Sequence, residues 1–136
     1  RISGPLLDRI DIHIEVTPVP FEKLSDERKG ESSVAIRKRV TAARELQTLR
    51  FKGFKNVHYN AQMNVKHIRE FCKLSADSLS LLKTAMEKLN LSARAYDRIL
   101  KVSRTIADLD ASEDITPSHI AEAIQYRSLD REGWLG

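Results

Sequence analysis

Apolar and polar residues alternate strictly over residues 9–16, Arg-Ile-Asp-Ile-His-Ile-Glu-Val. Ile10, Ile12, Ile14 and Val16 therefore share one face, which predicts a strand. Pro18 and Pro20 stop it, because proline gives no donor to a ladder. Residues 17–33 read as a linker rich in charged and turn-forming residues. From Ser33 the period becomes helical. The stretch 34–52 puts Ile36, Val40, Ala43 and Leu46 on one stripe and is broken by Lys52-Gly53-Phe54-Lys55-Asn56. A short helix is predicted over 65–73, capped by Asn64, with Val65, Ile68 and Phe71 inward. Another follows over 76–90, capped by Ser75, with Leu79, Leu82, Met86 and Leu89 inward and Asn90 as its stop. Ser92 opens a helix over 93–109. Thr116-Pro117 opens the last one, over 117–127, with proline at its first position.

The predicted fold is mainly α: a four- to five-helix bundle preceded by one strand. A lone strand is not a stable element, so its ladder partners are expected outside this chain. Residues 1–16 then read as the tail of a sheet-containing domain, 17–33 as a linker and 34–136 as a helical domain. The chain opens on Arg1 without a methionine, and a piece of something longer is expected. The helices carry their own apolar stripes, so the bundle is expected to fold without residues 1–16.

Composition narrows the chemistry. With 41% hydrophobic and 31% charged residues, the chain reads as an ordinary soluble globule. The net charge of +4 permits a polyanionic partner without requiring one. A single cysteine, Cys72, excludes an intrachain disulfide and a cysteine-cluster metal site, and favours a reducing compartment. There is no run of ~18 apolar residues to span a membrane. No charged-then-apolar leader opens the chain. A cytoplasmic location without membrane contact is the expectation. No glycine-rich phosphate loop is present, and His13, His58, His67 and His119 have no metal-ligand spacing. The serines sit at helix caps, where a catalytic triad cannot be argued. No metal site and no autonomous enzyme are expected.

Three groups of residues could still carry chemistry. On the helix over 93–109, Tyr96, Ile99, Leu100, Val102, Ser103, Ile106, Ala107 and Leu109 fill one broad arc, while Arg94, Arg98, Lys101 and Thr105 fill the centre of the other. Arg94 sits in the first turn, where the helix dipole disfavours a cation by ~0.3–1 kcal/mol. It fits either a residue that meets a bound anion there or a solvated arginine. Arg9, between Asp8 and Asp11, fits either a finger into a neighbouring subunit's phosphate site or a surface ion pair. From Arg37 to Lys55 seven cations face one acid, Glu45. Arg37, Lys38, Arg44 and Lys52 are candidate nucleic-acid contacts; a solvated face or an interface to an acidic surface fits equally.

Taken together, these residues resemble a known family. The run Arg1-Ile-Ser-Gly-Pro-Leu-Leu-Asp-Arg-Ile-Asp-Ile-His-Ile-Glu-Val resembles the end of the ATPase core in magnesium-chelatase-like AAA+ ATPases of the ComM/YifB type. Leu91-Ser-Ala-Arg-Ala-Tyr-Asp-Arg-Ile-Leu-Lys-Val-Ser-Arg-Thr-Ile-Ala-Asp-Leu is similar to the family's sensor-2 helix. Asn60-Ala61-Gln62-Met63, the run from Ile115 through Ala123 and Gln125-Tyr126-Arg127-Ser128-Leu129 support the match. The resemblance covers nearly the whole chain and is weakest over 17–33. It implies a nucleotide-responsive helical lid, with Arg9 as an arginine finger acting in trans and Arg94 as the sensor-2 arginine. It also implies ATP and Mg²⁺ in the whole protein, a ring of subunits, six in number, around its own ATPase core, and DNA branch migration. The phosphate-binding loop and the Mg²⁺-binding acidic motif are absent here, so this chain alone is expected neither to hold ATP tightly nor to hydrolyse it. Two other readings remain: a helical DNA-binding or adaptor module without ATPase activity, and the lid of a metal-chelatase motor subunit.

Overall fold

The computed structural model describes residues 2–127. The end of the predicted helical domain, 128–136, including Ser128 and Leu129 of the last matching run, lies outside the described residues. Helices occur at Gly4–Asp8 (α1), Phe21–Leu24 (α2), Ser33–Arg50 (α3), Val65–Phe71 (α4), Ala76–Lys88 (α5), Ala93–Leu109 (α6) and Pro117–Gln125 (α7), with a 3₁₀ turn at Asn60–Gln62. The expected helical bundle is α3 to α7.

The caps follow the sequence. The side chains of Asn64, Ser75 and Ser92 each accept a backbone N–H three residues on, from His67, Ser78 and Ala95. Asn90 takes φ +47° just after α5, a left-handed conformation that asparagine tolerates. Two histidines close capping boxes. His67 Nδ1 accepts from the Asn64 N–H, and His119 Nδ1 accepts from the Thr116 N–H. With Nδ1 accepting, His119 carries its proton on Nε2 and donates to Asp110 Oδ2 at 2.8 Å.

Helix α6 is the hub. It packs against α7, α3, α4 and the 3₁₀ turn, while α5 lies on α7. Leu82, Ile99, Ala107 and Ile120 are fully enclosed. Phe51, Phe54 and Phe71 meet edge to face beside them. Cys72 is buried in the same core, and burial pushes its thiol up to about 11, which leaves it without thiolate character at neutral pH.

Three expectations are corrected. Residues 10–16 form no strand; among the described residues the only bridge joins Leu74 to Ile115. A strand needs a ladder, and among the described residues no neighbouring strand supplies one. Ile10, Ile12, Ile14 and Val16 are all exposed, whereas His13, on the polar side of the alternation, is buried. Its N–H donates to the Tyr126 carbonyl at 2.7 Å, and its Nε2–H donates to the Leu7 carbonyl at 3.1 Å. The stripe of α3 is also thinner than predicted. Ala43 is buried, but Ile36, Val40 and Leu46 are exposed; the first half of α3, with no buried residue, extends past the bundle, and Leu46 is exposed although it lies in the second half. Val65 and Leu79, expected inward, are exposed as well.

The N-terminal segment holds the bundle at several points. Leu7 is buried, Asp11 pairs with Arg98, and the buried Arg127 guanidinium donates to the Ile10 carbonyl. Deleting residues 1–16 is therefore expected to keep the helical circular dichroism and to lower stability by about 2 kcal/mol, roughly one buried leucine. A thermal midpoint unchanged by the deletion would mean that these contacts contribute nothing.

Candidate functional site

The arginine-bearing edge of the bundle is built from α1 and the start of α6. Helix α1 begins at Ser3, whose hydroxyl accepts the Leu6 N–H, and it has Pro5 in its first turn. It ends at once, with Arg9 as its C-cap. Gly4, Pro5, Leu7 and Asp8 face the α5–α6 connection, Asn90 to Ser92, across a cavity of about 220 Å³. Arg9 follows Asp8 and Arg94 lies two residues past Ser92 in the sequence, but neither arginine lines the cavity itself.

Both are exposed, and neither has a carboxylate partner among the described residues. The surface ion pair open to Arg9 is not formed. Asp11 pairs with Arg98 instead, and Asp8 lies 3.8 Å from Arg127. Other cations near this edge are engaged. Arg98 holds Asp11, Lys101 Nζ donates to the Ala61 carbonyl at 3.2 Å, and Arg127 holds the Ile10 carbonyl. A guanidinium with no carboxylate beside a helix N-terminus can accept an anion without first breaking an ion pair.

The arc predicted for α6 is displaced. Ala95, Ile99, Leu100, Ser103 and Ala107 are buried as an apolar face should be, but so are Arg104 and Asp108. Leu109, expected inward, is exposed. Arg104 and Asp108 belong to a polar cluster that sequence reasoning misses. Arg50 at the end of α3 forks onto Asp108, with Nη1 donating to Oδ2 at 2.8 Å and Nη2 to Oδ1 at 2.6 Å. Asn60 Nδ2 donates to Asp108 Oδ2 at 2.9 Å, and Arg104 Nε lies 3.3 Å from Oδ1. Arg104 also donates to the carbonyls of Ser112 and Glu113. The cluster fixes α3, the 3₁₀ turn and the loop after α6 onto one helix. Its signal in the sequence is the i, i+4 pair Arg104–Asp108.

The four candidate nucleic-acid contacts are exposed and without a carboxylate partner among the described residues, while Arg39 and Arg50 are paired to Glu31 and Asp108. They do not share one face. Arg37 and Arg44 follow one flank of α3, with Arg44 lining a groove there. Lys38 lines a second groove, on the other flank, together with Glu45. Lys52 stands in the turn after the helix. No group of histidine, cysteine and carboxylate residues among the described residues could hold a metal ion. No helix of the described residues is long and apolar enough to cross a membrane.

Comparison with known proteins shows the family of the chain. The chain is 45% identical over 132 residues to YifB of Escherichia coli and to the competence protein ComM of Haemophilus influenzae. It is 32% identical over 129 residues to the Mycobacterium bovis protein Mb2921c. These alignments cover 96%, 96% and 93% of the chain, yet it spans only 25% of the length of each relative. Residues 30–127, which take in the whole bundle from α3 to α7, match the family model described as magnesium chelatase, subunit ChlI C-terminal. By that match the chain belongs to the family of magnesium chelatase ChlI C-terminal domains.

Proposed function

We propose that this chain is the nucleotide-responsive lid of a magnesium-chelatase-like AAA+ ATPase, with residues 1–16 as the end of the ATPase core, 17–33 as a linker and 34–136 as the lid. The observation that carries the reading is that Arg9 and Arg94 are exposed and without carboxylate partners among the described residues, next in sequence to segments that face each other across one depression, while Arg98, Arg104 and Arg127 are engaged. Arg94 is the sensor-2 residue, contacting the terminal phosphates of ATP. Arg9 is the arginine finger, reaching the nucleotide of a neighbouring subunit in a hexameric ring. The exposed apolar face of residues 10–16 is the surface that a core sheet would cover. The chain's own residues fit the phosphates of ATP through these guanidiniums, whereas Mg²⁺ and the phosphate loop belong to the core. Fuelled by that hydrolysis, the parent protein would act as a DNA-remodelling, branch-migration motor in the cytoplasm, and the exposed cations of α3 offer it a DNA contact.

The test is Arg94→Ala in the full-length protein. Arg94 is exposed, so its removal leaves no core void, and stability should stay within ~0.5 kcal/mol. ATP turnover should fall by at least about tenfold, less than the loss of an arginine finger. Steady-state turnover with the helical signal as a folding control reads the result. Turnover at the parent rate would assign Arg94 to a solvated surface and sink the sensor role.

A further inference from the structure

Between α3, the 3₁₀ turn and the middle of α6 lies an open groove of about 700 Å³, lined by Val40, Arg44, Thr48, His58, Tyr59 and Thr105 among others, with no acidic residue in its lining. Arg37, Arg44 and Thr48 recur at spacings of seven and four, so they stand along the flank of α3 that borders this groove. The sequence places three aromatics near the end of α3, but the structure uses two of them internally. Phe51 and Phe54 are packed edge to face with Phe71. Only Tyr59 presents a ring outward, at 47% exposure.

The backbone on both sides of Tyr59 is pinned. The His58 N–H donates to Gln62 Oε1 at 2.8 Å, and the Asn60 N–H donates to Gln47 Oε1 at 2.9 Å. The Asn60 side chain is held by Arg50, Thr105 and Asp108. A ring on so fixed a backbone loses little freedom when a flat partner lies on it.

We propose that this groove binds a single-stranded polynucleotide, with its phosphates on Arg37 and Arg44 and one base stacked on Tyr59. The proposal deepens the DNA contact offered above and rests on it. The lining supplies one cation, Arg44, and no acid, and Arg37 adds a second cation along the same flank of α3, which favours a polyanion. The aromatic selects the strand, because a base in a duplex has both faces covered by its neighbours and only an unpaired base can stack on a side chain.

The experiment is fluorescence anisotropy of a labelled oligothymidylate titrated with the 136-residue chain at low salt, repeated at rising salt and with a duplex of equal length. Binding is expected at a Kd of about 10⁻⁴–10⁻⁶ M. Tyr59→Ala and Tyr59→Leu should each weaken it about tenfold with helical circular dichroism unchanged, and Tyr59→Phe should retain it. Arg44→Gln should reduce the salt slope by about 0.7, one phosphate contact on a single strand. Lys83→Gln, on exposed α5, should change nothing. If the strand still binds fully to both Tyr59→Ala and Tyr59→Leu, or if the duplex binds more tightly than the strand, the groove proposal is overturned while a DNA contact on α3 survives. If neither strand nor duplex binds at low salt, both fail. The ATPase result for Arg94 is independent of all these outcomes.

Discussion

Asp108→Ala is expected to destabilise the bundle by about 3–5 kcal/mol, the cost of breaking a buried ion pair by removing one partner. The Asp108 side chain is 1% exposed and serves Arg50, Arg104 and Asn60 together. Without it, the Arg50 and Arg104 side chains, 14% and 6% exposed, lose their counter-charge. Arg104 has little room to escape, since its other nitrogens are bound to the Ser112 and Glu113 carbonyls. Arg50 and Arg104 both line an open cavity, and Arg50, the more exposed of the two, can turn into it, which sets the loss toward the lower end of the range. Asp108→Asn keeps one acceptor oxygen and should fall between the two. Urea unfolding should show a lower midpoint at unchanged slope. A loss under about 1 kcal/mol would show that the cluster is replaceable by solvent.

Arg9→Ala in the full-length protein should lower ATP turnover by roughly 10³-fold or more, the range found for arginine fingers, because the charge that develops on the transferred phosphoryl group loses its stabilising cation. Folding should be unaffected. Arg9 is exposed, and its backbone, not its side chain, caps α1. The finger reading carries a further requirement. A subunit lacking Arg9 still has its own phosphate loop, so mixing it with a subunit dead in that loop should restore part of the activity, each defect falling at a different subunit boundary. Full turnover by Arg9→Ala, or no recovery on mixing, would contradict action across an interface.

The helices and most of their caps were legible because those signals are local. Asn64, Ser75 and Ser92 each act within three residues, and proline after Thr116 needs only its own ring. What was not legible depended on what each helix meets. The stripe of α3 is a true amphipathic pattern, but nothing in it says that the bundle ends below Val40. The period-two pattern of 9–16 is equally real. It describes a face that wants a sheet, and among the described residues there is none. On α6 the simple division into apolar and charged faces fails at Arg104 and Asp108, because Asp108 is the shared counter-charge of Arg104 and of Arg50, 58 residues away from Asp108 in sequence. The two arginines on the edge were singled out in the sequence by their positions, Arg9 beside two acids and Arg94 in a first turn. Only the structure gives those acids to other cations.

The bond between Arg127 and the Ile10 carbonyl spans 117 residues of chain. Closing a loop of that length in an unfolded chain costs about 4 kcal/mol in entropy, plus a constant, whereas closing only the linker after the bundle has formed costs about 2.5 kcal/mol plus the same constant. The difference favours an order of assembly in which α3 to α7 form first and the N-terminal segment docks last. Departure runs in reverse, which is the kinetic counterpart of the helical signal expected to survive deletion of 1–16. On that order, the contacts beneath residues 7–13 would open before any helix of the bundle unfolds.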